Sequence, residues 1–216
     1  MLGAALLVTT ALAAALDWWS VHAGRRDVER WAKPLTMLLL VAVAATWGDG
    51  TGDVRAWLVV GACLGVVGDV ALLDDGETAF LVGLSSFAAG HLAYAVAAVR
   101  TGFDPAWALP GVVAMVVLLG FRFVTRTMVG ARREGGTALA GAVVVYATVI
   151  SAMVVTSWAT EAVVAGIGGT LFAVSDWVLG HRRFAGPLPG GRLAVMVPYH
   201  LGQALLLIGL ATGPAT

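Results

Sequence analysis

The sequence predicts an all-α, polytopic membrane protein of eight transmembrane helices. Three observations carry that expectation. Of the 216 residues, 59% are apolar and only 12% charged, whereas soluble domains average about 45–50% and about 25%. Mean hydropathy is +0.89. The apolar residues also gather into runs approaching the ~20 residues that a bilayer-crossing helix needs. So little charge does not solvate a globular surface of this size. That argues against a soluble enzyme, a disordered chain and a nucleic-acid binder. The single cysteine, Cys63, leaves neither an intramolecular disulfide nor a cysteine-based zinc site.

The expected spans are 2–21, 34–47, 56–73, 78–99, 106–124, 137–158, 161–180 and 194–212, within one integral domain, 1–216. The first lacks a basic leading segment, and Arg25, Arg26, Arg30 and Lys33 follow it closely. It therefore reads as a membrane anchor and not as a cleaved signal. The second is short and begins near Pro34 or a few residues before it. Loop 5–6 with its flanking helix end carries Arg122, Arg126, Arg132 and Arg133, and loop 7–8 carries Arg182, Arg183 and Arg192. Only Arg55 and Arg100 fall in the alternate loops, so the thirteen basic residues split eleven to two. The positive-inside rule then places both termini away from the cytoplasm. Tryptophans fit the same frame. Trp47, Trp57, Trp107 and Trp158 lie at outer ends, and Trp18, Trp19, Trp31 and Trp177 at or near inner ends.

Ionisable residues within apolar spans cost a few kcal/mol each on insertion scales and usually mark function. Here they are Asp17, Asp69, His91, Asp176 and His200, with Lys33 opening span two and Ser175, Tyr94, Tyr199 and Gln203 beside them. Asp69 lies ~6 Å to the cytoplasmic side of the centre of its span, and Asp176 and Asp17 lie similarly. The common depth implies a polar cavity open toward the cytoplasmic leaflet. Asp17, close to a helix end, is expected to snorkel or to pair with Lys33. Asp69 and Asp176 are the strongest candidates. Each follows a glycine by eight residues, in Gly61–Asp69 (GACLGVVGD) and Gly168–Asp176 (GGTLFAVSD). Each also precedes a histidine in the next span, His91 or His200. This spacing points to a parallel repeat of two four-helix halves with two Asp–His pairs about an axis normal to the membrane.

At these residues the chain resembles a known family. The stretches are KPLTMLLL (33–40), GDVALL (68–73), FLVGLSSFAAGHLAYAV (80–96), SDWVLGHRRF (175–184) and YHLGQALL (199–206). In that order they resemble the YhhN family, whose animal members are the TMEM86 lysoplasmalogenases. The resemblance implies an eight-helix hydrolase of the cell inner (plasma) membrane that cleaves the vinyl ether bond of lysoplasmalogens. The products would be a fatty aldehyde and a glycerophospho-alcohol. It implies Asp69 and Asp176 as the aspartate dyad and His91 as the family histidine. The substrate is then a lysophospholipid drawn from the bilayer, with no cofactor and no metal required.

The chemistry suits these residues. A vinyl ether hydrolyses by protonation at its β-carbon, giving an oxocarbenium ion that water captures. One carboxyl serves as acid, and a second stabilises the cation or activates water. The sequence does not say which aspartate is which. His91 would orient a carboxylate or shuttle protons. Lys33, Arg182 and Arg183 would bind phosphate, with Tyr94, Ser175, Tyr199, His200 and Gln203 lining the substrate site. Two other readings stand beside this one. Two Asp and two His could serve a metal-dependent lipid hydrolase, although no HExxH-type spacing exists. Mid-membrane Asp and His also suit a small-solute or proton-coupled transporter, although their crowding into one leaflet does not.

Overall fold

The computed structural model describes residues 2–48, 52–74 and 76–213. The side chain of Arg122, counted above among the inner-loop cations, lies outside them. Among the described residues the chain is helical, with no strand. The helices are α1 (Leu2–His22), α2 (Arg26–Thr46), α3 (Gly52–Ala71), α4 (Glu77–Thr101), α5 (Leu109–Leu118), α6 (Phe121–Trp158), α7 (Val163–Phe184) and α8 (Leu193–Thr212). A short 3₁₀ turn, Pro105–Ala108, leads into α5, with the Asp104 side chain accepting from the Ala106 amide at 2.8 Å. Six of the helices are long and apolar enough to cross a membrane. Such helices are required there because no water can satisfy an open backbone.

Two elements depart from the expected spans, for identifiable reasons. Helix α2 starts at Arg26, well before Pro34. Asp27 and Glu29 in its first turn complement the helix dipole, and Pro34 forfeits only one backbone hydrogen bond inside it. The second departure is larger. Helix α5 ends at Leu118, not at 124, and the chain re-enters a helix at Phe121. The basic stretch read as loop 5–6 is thus helical. A break at Gly135 and Gly136, where Gly136 has φ 65°, separates it from the membrane-spanning part of α6. Only glycine takes that backbone without strain. Glu134, just before the break, pairs with Arg183 and so ties this piece to the end of α7.

Sequential helices pack as neighbours, α1 on α2, α3 on α4, α6 on α7 and α7 on α8. Two further contacts close the bundle, α4 against α6 and α2 against α8. Small residues set the close crossings, as expected where lipid supplies no hydrophobic drive between helices. A Cβ built on Gly168 would lie 2.3 Å from the Leu206 amide nitrogen, and one on Gly202 would lie 2.6 Å from that of Phe172. In the α3–α4 pair the corresponding contact is Gly90 on the Gly61 carbonyl, 3.2 Å from a built Cβ. The core between these crossings holds Met37, Leu40, Leu58, Phe172 and Leu206, all buried.

This packing makes a stability prediction. Gly168→Leu should lower the melting temperature of the detergent-solubilised protein, costing about 1–3 kcal/mol or more through overpacking. Gly141→Leu, where a built Cβ meets nothing within 4 Å, should leave it unchanged or raise it.

Candidate functional site

Asp69 sits near the C-terminal end of α3, almost wholly buried. Its Oδ1 is 3.0 Å from the Lys33 ammonium of α2. Its Oδ2 accepts from the Tyr199 hydroxyl of α8 at 2.7 Å. Both oxygens are thus engaged by donors, one of them cationic, which suits an ionised carboxylate. Behind this cluster the Tyr94 hydroxyl donates to Gln203 Oε1 at 2.8 Å. That pair is buried between α4 and α8, and Gly61 and Gly65 leave the room it occupies.

Asp176 is carried by α7 and lines the same cavity. Its Oδ2 accepts from the Tyr146 hydroxyl of α6 at 2.5 Å and lies 3.1 Å from His91 Nε2 of α4. The Tyr146 hydroxyl and His91 Nε2 are themselves 3.0 Å apart. Its other oxygen, Oδ1, has no partner among the described residues, and the side chain is 11% exposed against 1% for Asp69. An aromatic wall joins the two clusters. The ring of Phe172 lies 4.6 Å from that of His91 and 5.3 Å from that of Tyr199. The helices therefore serve the two carboxylates alike. Each aspartate takes one donor from the helix before its own, α2 or α6, and one from α8 or α4.

Both carboxylates line a cavity of ≈ 310 Å³. Five cations also line it, Arg26, Lys33, Arg182, Arg183 and Arg192. Arg192 is held by a two-point pair with buried Glu29, one contact being 2.9 Å. A narrower apolar cleft of ≈ 60 Å³ runs between α4, α5, α6 and α7, lined by residues such as Phe80, Leu84, Met115 and Ile150. Asp176, Leu72, Phe87 and Leu179 line both spaces. Asp176 thus stands where a basic chamber meets an apolar slot.

The structure joins some of the sequence candidates and parts others. Asp69, Asp176, Lys33, Ser175, Arg182, Arg183 and Tyr199 all border the cavity, and His91 reaches it through Asp176. The Ser175 hydroxyl is spent on the Val195 carbonyl, 2.9 Å away, and so also ties α7 to α8. The expected Asp–His pairing is crossed, since His91 meets Asp176 and not Asp69. His200 does not meet Asp176. It faces α1, where the Trp18 indole donates to its Nδ1 at 3.0 Å. Asp17 neither snorkels nor takes the Lys33 ion pair. It is buried, with both carboxylate oxygens unpartnered among the described residues. No three His, Cys, Asp or Glu side chains converge as metal ligands would among the described residues. Sequence reasoning passed over Tyr146, Arg26 and Arg192. A signal for Tyr146 existed. The chain has only three tyrosines, and all three lie inside spans, not at the interfaces that tyrosine favours.

Comparison with known proteins identifies the family of the chain. The model of the YhhN family matches residues 28–210. The chain is 30% identical over 166 residues to lysoplasmalogenase TMEM86B of Sus scrofa, covering 77% of this chain and 68% of that one. It is 32% identical over 148 residues to lysoplasmalogenase TMEM86B of Homo sapiens, covering 68% and 60%. Lysoplasmalogenase TMEM86A of Homo sapiens is 29% identical over 167 residues, covering 70% and 63%. The chain thus spans 60 to 68% of the length of these relatives. No solved structure matches it.

The Lys33–Asp69 pair generates a stability prediction. Lys33→Met leaves a buried carboxylate unpaired and should cost about 3–5 kcal/mol, read as a fall in melting temperature in detergent. Adding Asp69→Asn to that variant should recover much of the loss.

Proposed function

Since the chain belongs to the YhhN family, we propose that it is a membrane-embedded ether-lipid hydrolase of the lysoplasmalogenase kind. It cleaves the vinyl ether bond of a lysoplasmalogen-type lysolipid to a fatty aldehyde and a glycerophospho-alcohol. The observation that carries this reading is the position of Asp176. In such a lipid the vinyl ether lies between the phosphate-bearing glycerol and the hydrocarbon chain. With phosphate among the cations and the chain in the apolar cleft, the reacting bond falls beside Asp176.

The two carboxylates divide the work. Asp176, in its acid form, accepts from Tyr146 and His91 on Oδ2 and carries its proton on Oδ1. It delivers that proton to the β-carbon of the double bond. Positive charge then develops over the α-carbon and the ether oxygen. Asp69, fixed as an anion by Lys33 and Tyr199, stabilises that cation across the cavity. Water adds to the α-carbon and returns a proton to Asp176. The hemiacetal collapses as its C–O bond to glycerol breaks, and the glycerol oxygen takes up the hydroxyl proton. Tyr146 and His91 are positioning residues that hold the acid oxygen toward the substrate. General acid–base help of this kind is worth about 10²–10⁴-fold.

The same reading includes the membrane frame. All eight helical segments belong to the membrane domain, with both termini on the non-cytoplasmic side of the plasma membrane. The site faces the cytoplasmic leaflet. Its support is that Arg26, Arg182, Arg183 and Arg192 at the chamber are the residues that the charge bias assigns to the cytoplasm. The equivalent service of the two aspartates supports a parallel repeat of two four-helix halves.

The test is aldehyde release from lysoplasmenylethanolamine by the purified protein. The wild type should release aldehyde and should leave the saturated alkyl ether analogue intact, because that lipid has no double bond to protonate. Asp176→Asn should lower kcat by about 10²-fold or more, and Asp69→Asn should also impair turnover. Wild-type protein that releases no aldehyde, or variants as active as it, would overturn the proposal.

A further inference from the structure

The cavity holds one cation, Arg182, with no carboxylate partner among the described residues. Of its five lining cations, Lys33 is matched by Asp69, Arg183 by Glu134 and Arg192 by Glu29. Arg182 also lines it and pairs with no carboxylate among the described residues. Among the described residues the lining carboxylates are Asp69 and Asp176, both engaged by donors. Among the described residues the lining aromatic rings are Phe87 and Tyr199, both buried. An ammonium group at the mouth would therefore meet arginines. Among the described residues it would find no carboxylate free of a cation or a donor there, nor the aromatic cage that quaternary ammonium ligands favour.

Headgroups differ in what they bring to such a chamber. A phosphoethanolamine or phosphocholine headgroup is zwitterionic, with one negative phosphate and one cation. A phosphate monoester carries about −1.5 to −2 at neutral pH and three acceptor oxygens. Guanidinium groups pair with those oxygens two at a time. Resting on the hydrolase reading, we propose that the preferred lysolipid carries a bare phosphate monoester, as in the 1-alkenylglycerol 3-phosphate class, and that Arg182 selects it. Lys33 and Arg192, already neutralised by Asp69 and Glu29, hold the glycerol-side oxygens. Arg182 meets the additional negative charge that a zwitterionic headgroup lacks.

The experiment measures binding and not turnover, so it is independent of whether the chain cleaves anything. Full-length protein in detergent is titrated with two uncleavable lipids, 1-O-hexadecylglycerol 3-phosphate and 1-O-hexadecylglycero-3-phosphoethanolamine, and followed by tryptophan fluorescence. The phosphate lipid should bind about tenfold tighter or more, the scale of a charge-assisted hydrogen bond. Added salt should erode that preference. Arg182→Gln should remove most of it, and Arg182→Lys should retain part. Equal affinity in the wild type, tighter binding of the ethanolamine lipid, or binding of neither overturns the inference whatever the variants do. A preference unchanged in a folded Arg182→Gln protein overturns the role of Arg182. Inorganic phosphate should compete only weakly, and if it binds as tightly as the lipid the site reads free phosphate and the lipid assignment falls. Aldehyde release from the matching alkenyl lipids separates the two ideas. Selective binding without cleavage defeats the hydrolase reading alone, and cleavage without selectivity defeats this inference alone.

Discussion

The donors that meet Asp69 and Asp176 among apolar helices organise much of the rest of the molecule. A lone ion in such surroundings costs several kcal/mol, so its partners are fixed as firmly as any core contact. Asp69 draws Lys33 from α2 and Tyr199 from α8. Asp176 draws Tyr146 from α6 and His91 from α4. Six helices are thereby tied to two points on one cavity. The glycine crossings of α3 with α4 and of α7 with α8 bring the backbones near enough for those side chains to meet.

The two clusters look alike at the level of helices and differ in chemistry. One contains a lysine, both carboxylate oxygens are engaged, and the side chain is almost wholly buried in the cavity wall. The other contains a phenol and an imidazole, both on one oxygen, and the second oxygen opens on the cavity. Environments that push two carboxyl groups toward different protonation states separate an acid from an anion. The chamber's cations and the adjoining apolar cleft would then present an amphiphile with its linkage at the open carboxyl. Fixed donors need no rearrangement as charge develops, which is where preorganised electrostatics is effective.

The amount legible in the sequence follows from the physics of each feature. Six long apolar helices could be read because a bilayer demands length and apolarity, and a run of about twenty residues declares both. The helix before Gly135 could not, because its arginines mimic a loop when only hydropathy is weighed. Asp69 and Asp176 stood out because a buried carboxylate is expensive. Their pairings did not, since pairing depends on which face of each helix is turned inward. Tyr199 and His200 are neighbours in sequence, yet successive residues point about 100° apart around a helix. One therefore reaches Asp69 and the other faces Trp18. The expected Asp176–His200 pair failed on that rotation. Tyr146 escaped notice because a phenol within VVVYATV is neither ionised nor conspicuous by hydropathy.

The central claim is that a proton delivered from the open carboxyl to the vinyl β-carbon starts the reaction. Turnover of a lysoplasmenyl lipid in ¹⁸O-enriched heavy water, with both products analysed by mass spectrometry, tests it most directly. The account predicts one deuterium on the carbon next to the aldehyde carbonyl and no ¹⁸O in the glycerol product. A glycerol product that carries ¹⁸O, or an aldehyde formed without that deuterium, would contradict it.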